Sequence, residues 1–178
     1  RGQVHLHPGD ADDHQLQPDG RDGGPGPLGG GQPAGERLPG RAHGPREFMV
    51  YENERWTFDR FFQQVDALAA NLQHQLGVKA GDRVAIAMRN RPEWAVAFAA
   101  ISLVGAVPAP LNSYGLHDEL MANLVDLQPK LLICDPERFA RVQNDLAALS
   151  CKAMVVDGTA QQGNAPWQAM TSASTAAH

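Results

Sequence analysis

The sequence predicts an α/β fold with a doubly wound, mostly parallel sheet and a disordered N-terminal head. Short unbroken apolar runs occur at 84–88, 131–134 and 153–156, as is typical of strands buried on both faces. Segments with helical periodicity separate these runs. Because helices between such strands form right-handed crossovers, we expect the strands to lie parallel in one sheet.

The two ends of the chain differ from its middle in composition. Residues 1–47 contain 12 of the 18 glycines and 7 of the 13 prolines, and no aromatic residue. Such a segment buries too little apolar surface to offset its ordering entropy, so we expect it to be disordered. GC-rich DNA translated out of frame gives the same composition, which is an alternative origin for this head. Residues 158–178 are expected to form an irregular, truncated tail in which only Pro166-Trp167 is docked.

The organised part, residues 48–157, opens with a hairpin and a helix. Two β-prone runs flank Glu52-Asn53-Glu54, which indicates a hairpin. Thr57 is a suitable N-cap for the helix that follows, and Gly77 is expected to end it as the C′ residue. The buried face of this helix is predicted from its apolar spacing: Phe61, Val65, Leu68, Ala69, Leu72 and Leu76.

The next elements alternate strand and helix. After the strand at 84–88, Asn90 is predicted as an N-cap, Glu93 as its capping-box partner, and the helix as 93–104. The strand at 106–111 contains Pro108 and Pro110, which favours a sheet edge. Two more helices are predicted from apolar faces, the second of them capped by Asp135-Pro136: Leu116, Leu120, Leu124 and Leu127, then Phe139, Val142, Leu146 and Leu149.

Composition excludes several classes of function. The net charge is −5 with 20% charged residues and no basic run, which argues against a nucleic-acid partner. No apolar stretch approaches the roughly 20 residues of a transmembrane helix, and the N-terminus lacks the apolar core of a signal peptide. Cys134 and Cys151 lie in apolar surroundings and are expected to be buried free thiols in a reducing compartment, which predicts a cytoplasmic protein.

The junction Arg89-Asn90-Arg91-Pro92 is the first candidate for a ligand site. A nucleotide-binding loop between strand and helix needs several glycines, because the backbone must approach the phosphates, and this junction has none. Its helix N-terminus and two arginines could still hold an anion. The alternative, which we favour, is a solvated loop with an ordinary helix cap.

Acid–base and metal chemistry find no support in the residue pattern. The helix dipole favours acids in a first turn, which accounts for Asp118, Glu119 and Glu137 without a catalytic role. His74 and His117 are predicted to be surface residues. No serine occupies a nucleophile elbow, and no His, Asp or Glu set has ligand spacing, including His5 and His7 in the head. Two further acids, Asp126 and Asp135, are placed on a helix face and at a helix start.

Three segments in order carry a family resemblance: ERWTFDRFFQQVDALAANLQHQLGVKAGDRVAIAMRNRPEW, AFAAISLVGAVPAPLN and DELMANLVDLQPKLLICD. With the spacing of GDRV, N-x-PE and GAV-x-x-PLN, residues 47–157 resemble the N-terminal region of the AMP-forming acyl-CoA synthetases, the adenylate-forming ligases. The resemblance implies that this chain forms a partial N-terminal subdomain. It departs from the family pattern at Arg60, where an acid is usual, and at Leu116, where a Ser or Thr cap is usual.

The resemblance implies an ATP-dependent reaction for the intact enzyme. A carboxylate, from a fatty or other apolar acid, would react with ATP to give an acyl-adenylate, and coenzyme A would then displace AMP, with Mg²⁺ offsetting phosphate charge. The family's Ser/Thr/Gly-rich phosphate loop is expected downstream of Asp157, and the 178 residues do not contain it.

These expectations assign no catalytic, cofactor-binding or metal-binding residue to this chain. The family positions that match are interpreted as structural: Asn90, Pro92, Glu93, Gly105, Ala106 and Pro110. We therefore expect an N-terminal fragment of an acyl-CoA ligase that binds no cofactor and is inactive alone. The alternative is a stand-alone, non-catalytic α/β binding or interaction module.

Overall fold

The computed structural model describes residues 39–157 and 165–172. A short 3-10 helix, Pro39–His43, precedes the regular elements. These are, in chain order, β1 (Glu47–Tyr51), β2 (Glu54–Thr57), α1 (Phe58–His74), β3 (Arg83–Ala87), α2 (Pro92–Leu103), β4 (Val107–Pro110), α3 (His117–Leu127), β5 (Leu131–Cys134), α4 (Pro136–Val142), β6 (Lys152–Val155), β7 (Ala165–Pro166) and α5 (Trp167–Thr171).

The main sheet has the strand order β4-β3-β5-β6-β7, and all four of its pairings are parallel. From β3 the chain first adds β4 on one side and then crosses to add β5 and β6 on the other. The sheet is therefore doubly wound, which confirms the predicted fold class. The hairpin β1–β2 forms a separate two-stranded antiparallel sheet, as its turn sequence predicted.

Each face of the main sheet has its own hydrophobic core, because strand side chains alternate between the faces. On one face, Val84, Ile86 and Ile133 pack with α1, α2 and the buried Trp167 and Met170 of α5. On the other face a second cluster packs against α3 and α4: Ala85, Ala87, Leu132, Cys134, Ala153 and Val155. The unbroken apolar strands follow from this two-sided burial.

Helix α1 follows its predicted face and N-cap. The Thr57 hydroxyl accepts a hydrogen bond from the Arg60 N–H (3.1 Å), so the departure at Arg60 leaves the cap in place. The five predicted positions from Phe61 to Leu72 are buried, and Leu76 is partly buried. The helix ends at His74, and Gly77 lies just beyond that end with φ +63°.

Strand β4 lies at the edge of the main sheet, as its two prolines predicted. The Val107 and Leu111 N–H groups donate to the carbonyls of Asp82 and Ile86 (both 2.8 Å). Residues 108 and 110 lie between these bonding positions, so neither needs a backbone N–H that donates to β3. Proline is therefore tolerated there.

The fourth helix is shorter than its apolar spacing predicted. Helix α4 ends at Val142, and residues 143–150 form successive turns, with Asp145 N–H bonded to the Val142 carbonyl (3.0 Å). Asn144 and Asp145 favour such turns because their side chains compete for backbone groups. Leu146 still reaches the core from a turn, with 5% of its surface exposed.

The ends of the organised part differ from the predicted limits of 48 and 157. Described structure begins at Pro39 and β1 begins at Glu47, whereas the predicted disorder of residues 1–38 lies outside the described residues. Near the other end, β7 pairs with β6, and the Asn71 side-chain amide donates to the Met170 carbonyl (2.8 Å). Trp167 is 4% exposed, so this part of the tail is docked.

None of the described helices is long and apolar enough to cross a membrane.

Candidate functional site

In an open parallel sheet, ligands bind at the carboxyl ends of the strands, where the strand order reverses. In this chain that point lies between β3 and β5. Three segments meet at this carboxyl edge: the junction 88–91 after β3, the loop 111–116 after β4, and Asp135 after β5. The carboxyl edge is therefore the candidate site.

Asp135 joins two of these segments. It is the N-cap of α4, as predicted, and is 5% exposed. Its Oδ1 accepts from the Arg138 N–H (2.9 Å), and its Oδ2 accepts from the Arg89 N–H (3.2 Å). The carboxylate thus caps a helix and also fixes the neighbouring junction.

Arg138 links the third segment, the loop after β4, to Asp135. Its side chain is 3% exposed, and its Nη1 lies 3.2 Å from Asp135 Oδ2 and 2.8 Å from Glu137 Oε2. Its Nε donates to the Ser113 carbonyl (2.6 Å), and Arg141 Nη1 donates to the Gly115 carbonyl. Two arginines of α4 therefore hold the loop after β4 by its backbone.

The tip of that loop carries an arginine–aromatic contact. Arg89 Cζ lies 4.0 Å from the centroid of the Tyr114 ring, which is 72% exposed. Asn112 Oδ1 accepts from the Tyr114 N–H (3.0 Å) and so shapes the turn. The guanidinium of Arg89 is engaged with a ring face, which is a weakly stabilising cation–π arrangement at an exposed site.

Arg91, and not Asn90, is the N-cap of α2, so the predicted capping box is wrong. Arg91 is extended (φ −154°, ψ 162°), as a residue before proline prefers, and Pro92 is the first helical residue. The Arg91 side chain caps no backbone N–H of the helix. Glu93 instead accepts from Arg91 Nε (2.7 Å).

Arg91 also reaches Asp157 at the end of β6, with its Nη2 2.6 Å from Asp157 Oδ2. Burial lowers the pKa of the Arg91 guanidinium, but hydrogen bonds to Glu93 and Asp157 outweigh burial and raise the pKa above its ordinary value. Arg91 is therefore permanently charged and holds two carboxylates. An anionic ligand at this helix start would also meet these two acids.

A shallow depression of about 340 Å³ lies beside the junction. It is open to solvent, and its walls come from β1 and from the start of α2: Met49, Val50, Tyr51, Asn90, Arg91 and Pro92. The one arginine in its lining is Arg91, whose positive charge is paired with Glu93 and Asp157. The depression therefore has an apolar floor without an available positive charge.

The predicted acids and histidines do not converge on one site. Asp118 and Glu119 lie in the first turn of α3 and Glu137 in that of α4, as predicted, and Asp126 is exposed on α3. His74 is exposed on α1. His117 begins α3, where its hydrogen bonds to Asp118 (2.7 Å) and then to Asp145 (3.1 Å) raise its pKa.

The two cysteines are buried and unpaired, as predicted. Burial raises the pKa of the Cys151 thiol to about 11 and raises that of Cys134 further. Neither thiol is therefore activated as a nucleophile. Within residues 39–157 and 165–172, no three His, Cys, Asp or Glu side chains lie close enough to hold a metal ion.

Sequence reasoning missed the burial of Arg138. A signal was present, because Arg138 lies four residues before Val142 and eight before Leu146, on the face that packs into the core. A charged residue on an apolar helix face needs a partner, and Asp135 stands three residues earlier.

Comparison with known proteins agrees with this architecture. The family described as "AMP-binding enzyme" matches residues 39–177. A 2-succinylbenzoate–CoA ligase of Bacillus velezensis is 34% identical over 99 residues, which cover 56% of this chain and 20% of the relative. The corresponding ligase of Bacillus cereus is 35% identical over 92 residues, covering 52% and 19%. This chain thus matches about a fifth of the length of these curated relatives.

Solved structures share the fold over a larger part of the chain. A Rhodopseudomonas palustris protein assigned as a long-chain-fatty-acid CoA ligase superposes with a TM-score of 0.69 at 27% identity, covering 79% of this chain and 36% of that one. Coronafacic acid ligase of Pectobacterium brasiliense gives 0.68 at 20% identity, covering 74% and 27%, which shows the fold alone. Because the family match spans most of the chain, this protein belongs to the AMP-binding enzyme family.

Proposed function

We propose that this chain forms part of the N-terminal domain of an ATP-dependent acid–CoA ligase and supplies scaffold rather than reacting groups. The observation that carries the proposal is the carboxyl edge, where charged side chains bond to one another. Arg91 holds Glu93 and Asp157, and Arg138 holds Asp135. These groups bond to one another and hold the segments that follow β3, β4 and β6.

The reaction proposed for the whole enzyme has two steps. A substrate carboxylate attacks the α-phosphate of ATP, which forms an acyl-adenylate and releases pyrophosphate. The thiol of coenzyme A then attacks the acyl carbon and releases AMP. Mg²⁺ would offset the phosphate charge. We assign no step of this reaction to the described residues. We place the enzyme in the cytoplasm and propose no nucleic-acid partner.

The proposed substrate is a carboxylic acid with an apolar body. The curated relatives are named for 2-succinylbenzoate, and the Rhodopseudomonas structure for long-chain fatty acids. These names support an acid–CoA ligase and differ in the acyl group. A fatty acid is one candidate, and an aromatic acid of the succinylbenzoate type is the other.

The first test is ATP–pyrophosphate exchange by the purified chain with Mg²⁺, and with either palmitate or 2-succinylbenzoate. We expect no exchange above the no-enzyme control. The Bacillus velezensis ligase, assayed with 2-succinylbenzoate, is the positive control. Acid-dependent exchange by this chain alone would show that it carries reacting groups and would overturn the scaffold assignment.

A graft tests the scaffold role directly. Residues 39–157 replace the aligned segment of the Bacillus velezensis ligase, and 2-succinylbenzoyl-CoA formation is measured. Within the graft, Arg89→Ala should leave kcat and the KM for ATP within about twofold, because the Arg89 guanidinium is engaged with the Tyr114 ring. A selective rise in the KM for ATP would instead assign the junction to phosphate binding. The matched control is Arg83→Ala, at the amino end of β3 and so at the opposite edge of the sheet.

A further inference from the structure

His117 lies between two carboxylates that come from different parts of the chain. Its Nδ1 is 2.7 Å from Asp118 Oδ1, and its Nε2 is 3.1 Å from Asp145 Oδ2. Asp118 is the next residue of α3, whereas Asp145 belongs to the turns 143–150 after α4 and is 28 residues away along the chain. The imidazole ring therefore links the start of α3 to these turns, which we call the α4 turns.

This bridge requires a protonated histidine. An ionised carboxylate only accepts hydrogen bonds, and a neutral imidazole has a single N–H. A neutral His117 can therefore donate to Asp118 or to Asp145 but not to both, in either tautomer, whereas an imidazolium donates to both. The two hydrogen bonds, that to Asp118 first, raise the pKa of His117 above its ordinary value.

The other charged groups near the bridge have partners of their own. Arg141 of α4 bonds to Glu137 of the same helix (2.6 Å), and Glu119 of α3 accepts from the Asn112 side-chain amide (2.9 Å). His117 is the first residue of α3, and the partial positive charge of a helix N-terminus opposes its protonation. The two bridging carboxylates outweigh that opposition, so they set the protonation state of the ring.

The bridge lies next to the candidate site. His117 directly follows the loop 111–116, whose backbone Arg138 and Arg141 hold at the carboxyl edge. We propose that His117 is a pH-dependent latch, which as an imidazolium holds the end of this loop and the start of α3 to the α4 turns, and as a neutral imidazole releases one of its two carboxylates. The inference is independent of the proposed ligase function.

The sign of the pH dependence follows from the direction of the shift. Because the pKa of His117 is higher in the folded chain than in the unfolded chain, the stabilisation is complete below about pH 6.5, the ordinary pKa of histidine. It is lost as the pH rises through the higher pKa of the folded chain. The His117 side chain is 51% exposed, so we expect a local opening of the α4 turns and not global unfolding.

The first measurement is the titration of His117 in the 178-residue chain by long-range ¹H–¹⁵N NMR, which distinguishes the imidazolium from both neutral tautomers. The signal that disappears in His117→Gln identifies the residue. We expect a titration midpoint above about 6.5, the value of an unperturbed histidine. Asp145→Asn should lower this midpoint, because an amide replaces one of the carboxylates. A midpoint at or below 6.5 in the parent chain would overturn the proposal.

The second measurement is amide hydrogen exchange in the α4 turns. The Asp145 and Ala148 N–H groups donate to the carbonyls of Val142 and Asp145 (3.0 and 3.1 Å). After correction for the intrinsic pH dependence of exchange, the protection of these two amides should fall about two- to fivefold as the pH rises through the His117 midpoint, as expected for an exposed ion pair.

Two histidine variants make the exchange test specific. His117→Gln keeps one N–H donor without the charge, and should give the lower protection at every pH. His74→Gln, at an exposed histidine of α1, is the matched control and should retain the pH-dependent fall. Circular dichroism checks that both variants are folded. A parent chain without the fall, or a folded His117→Gln variant that retains it, would overturn the proposal and leave the ATP–pyrophosphate and graft results unaffected.

Discussion

Arg138 is the residue on which the carboxyl edge depends most. Its guanidinium joins Asp135, Glu137 and the backbone of the loop after β4, and it is almost completely buried. Such a group is costly to bury alone, and its partners offset that cost only while all of them are present. The network therefore acts as one unit rather than as separate ion pairs.

We expect Arg138→Ala to lower the free energy of unfolding by about 3 kcal/mol, because it leaves a buried carboxylate without its partner. Arg55→Ala removes an exposed pair with Glu47 (2.5 Å) and should cost about 0.5 kcal/mol or less. Urea unfolding followed by circular dichroism measures both. If both variants lost the same free energy of unfolding, the buried network would stabilise the fold no more than an exposed ion pair does.

At the scale of the residue, the sequence predicted that Asp135 caps a helix, but it did not predict that Arg138 is buried. An aspartate before a proline is a local signal for a helix cap, and the cap depends on residues only three positions away. The position of Arg138 depends on Ser113, 25 residues away along the chain. No local pattern predicts that the loop after β4 comes within hydrogen-bonding distance of α4.

At the scale of the element, the strands were predicted from short apolar runs because both faces of the sheet are covered. Helix boundaries were harder to predict, because periodicity identifies a buried face and not the residue at which the helix begins. Pro92 decided the start of α2 by forcing the residue before it to be extended. Asn144 and Asp145, which have low helix propensity, follow the end of α4 at Val142.

The two helix caps make a testable pair. Thr57→Ala should lower the free energy of unfolding by about 1 kcal/mol, because a backbone N–H of α1 loses its acceptor. Asn90→Ala should cost much less, because Asn90 lies outside the cap of α2. Urea midpoints of the two variants and of the parent chain are sufficient. If Asn90→Ala lowered the free energy of unfolding as much as Thr57→Ala does, the prediction that Asn90 caps α2 would be correct after all.

At the scale of the whole molecule, the sequence predicted the layers and their order but not the contacts between loops. It assigned no reacting residue, and it did not predict that Arg91 and Arg138 of the carboxyl edge bond to neighbouring carboxylates. Cys134 and Cys151 illustrate the same point from the interior, since both belong to the core formed with α3 and α4. Their accessibility is a property of the complete fold.

We expect a disulfide reagent such as Ellman's to label neither thiol of the native chain, and to label both in concentrated guanidinium chloride. Burial raises the pKa of Cys151 to about 11, so at pH 9 only about 1% of this thiol is ionised, whereas more than about half of a free thiol is. Native labelling at pH 9 should therefore remain far slower than that of a free thiol. The amount of thionitrobenzoate released gives the number of thiols labelled. Rapid labelling of one native thiol would reveal an open path into the core.

Strand β4 has a consequence for how this protein can aggregate. Val107 and Leu111 direct their N–H groups to β3, so the residues in the opposite phase, Pro108 and Pro110, present the outer edge. Proline has no N–H, which leaves that edge with carbonyl acceptors and without donors at these two positions. A strand from another molecule would therefore lack the half of its backbone hydrogen bonds for which β4 would supply the N–H donors. Intermolecular growth of the sheet is therefore blocked at the β4 end.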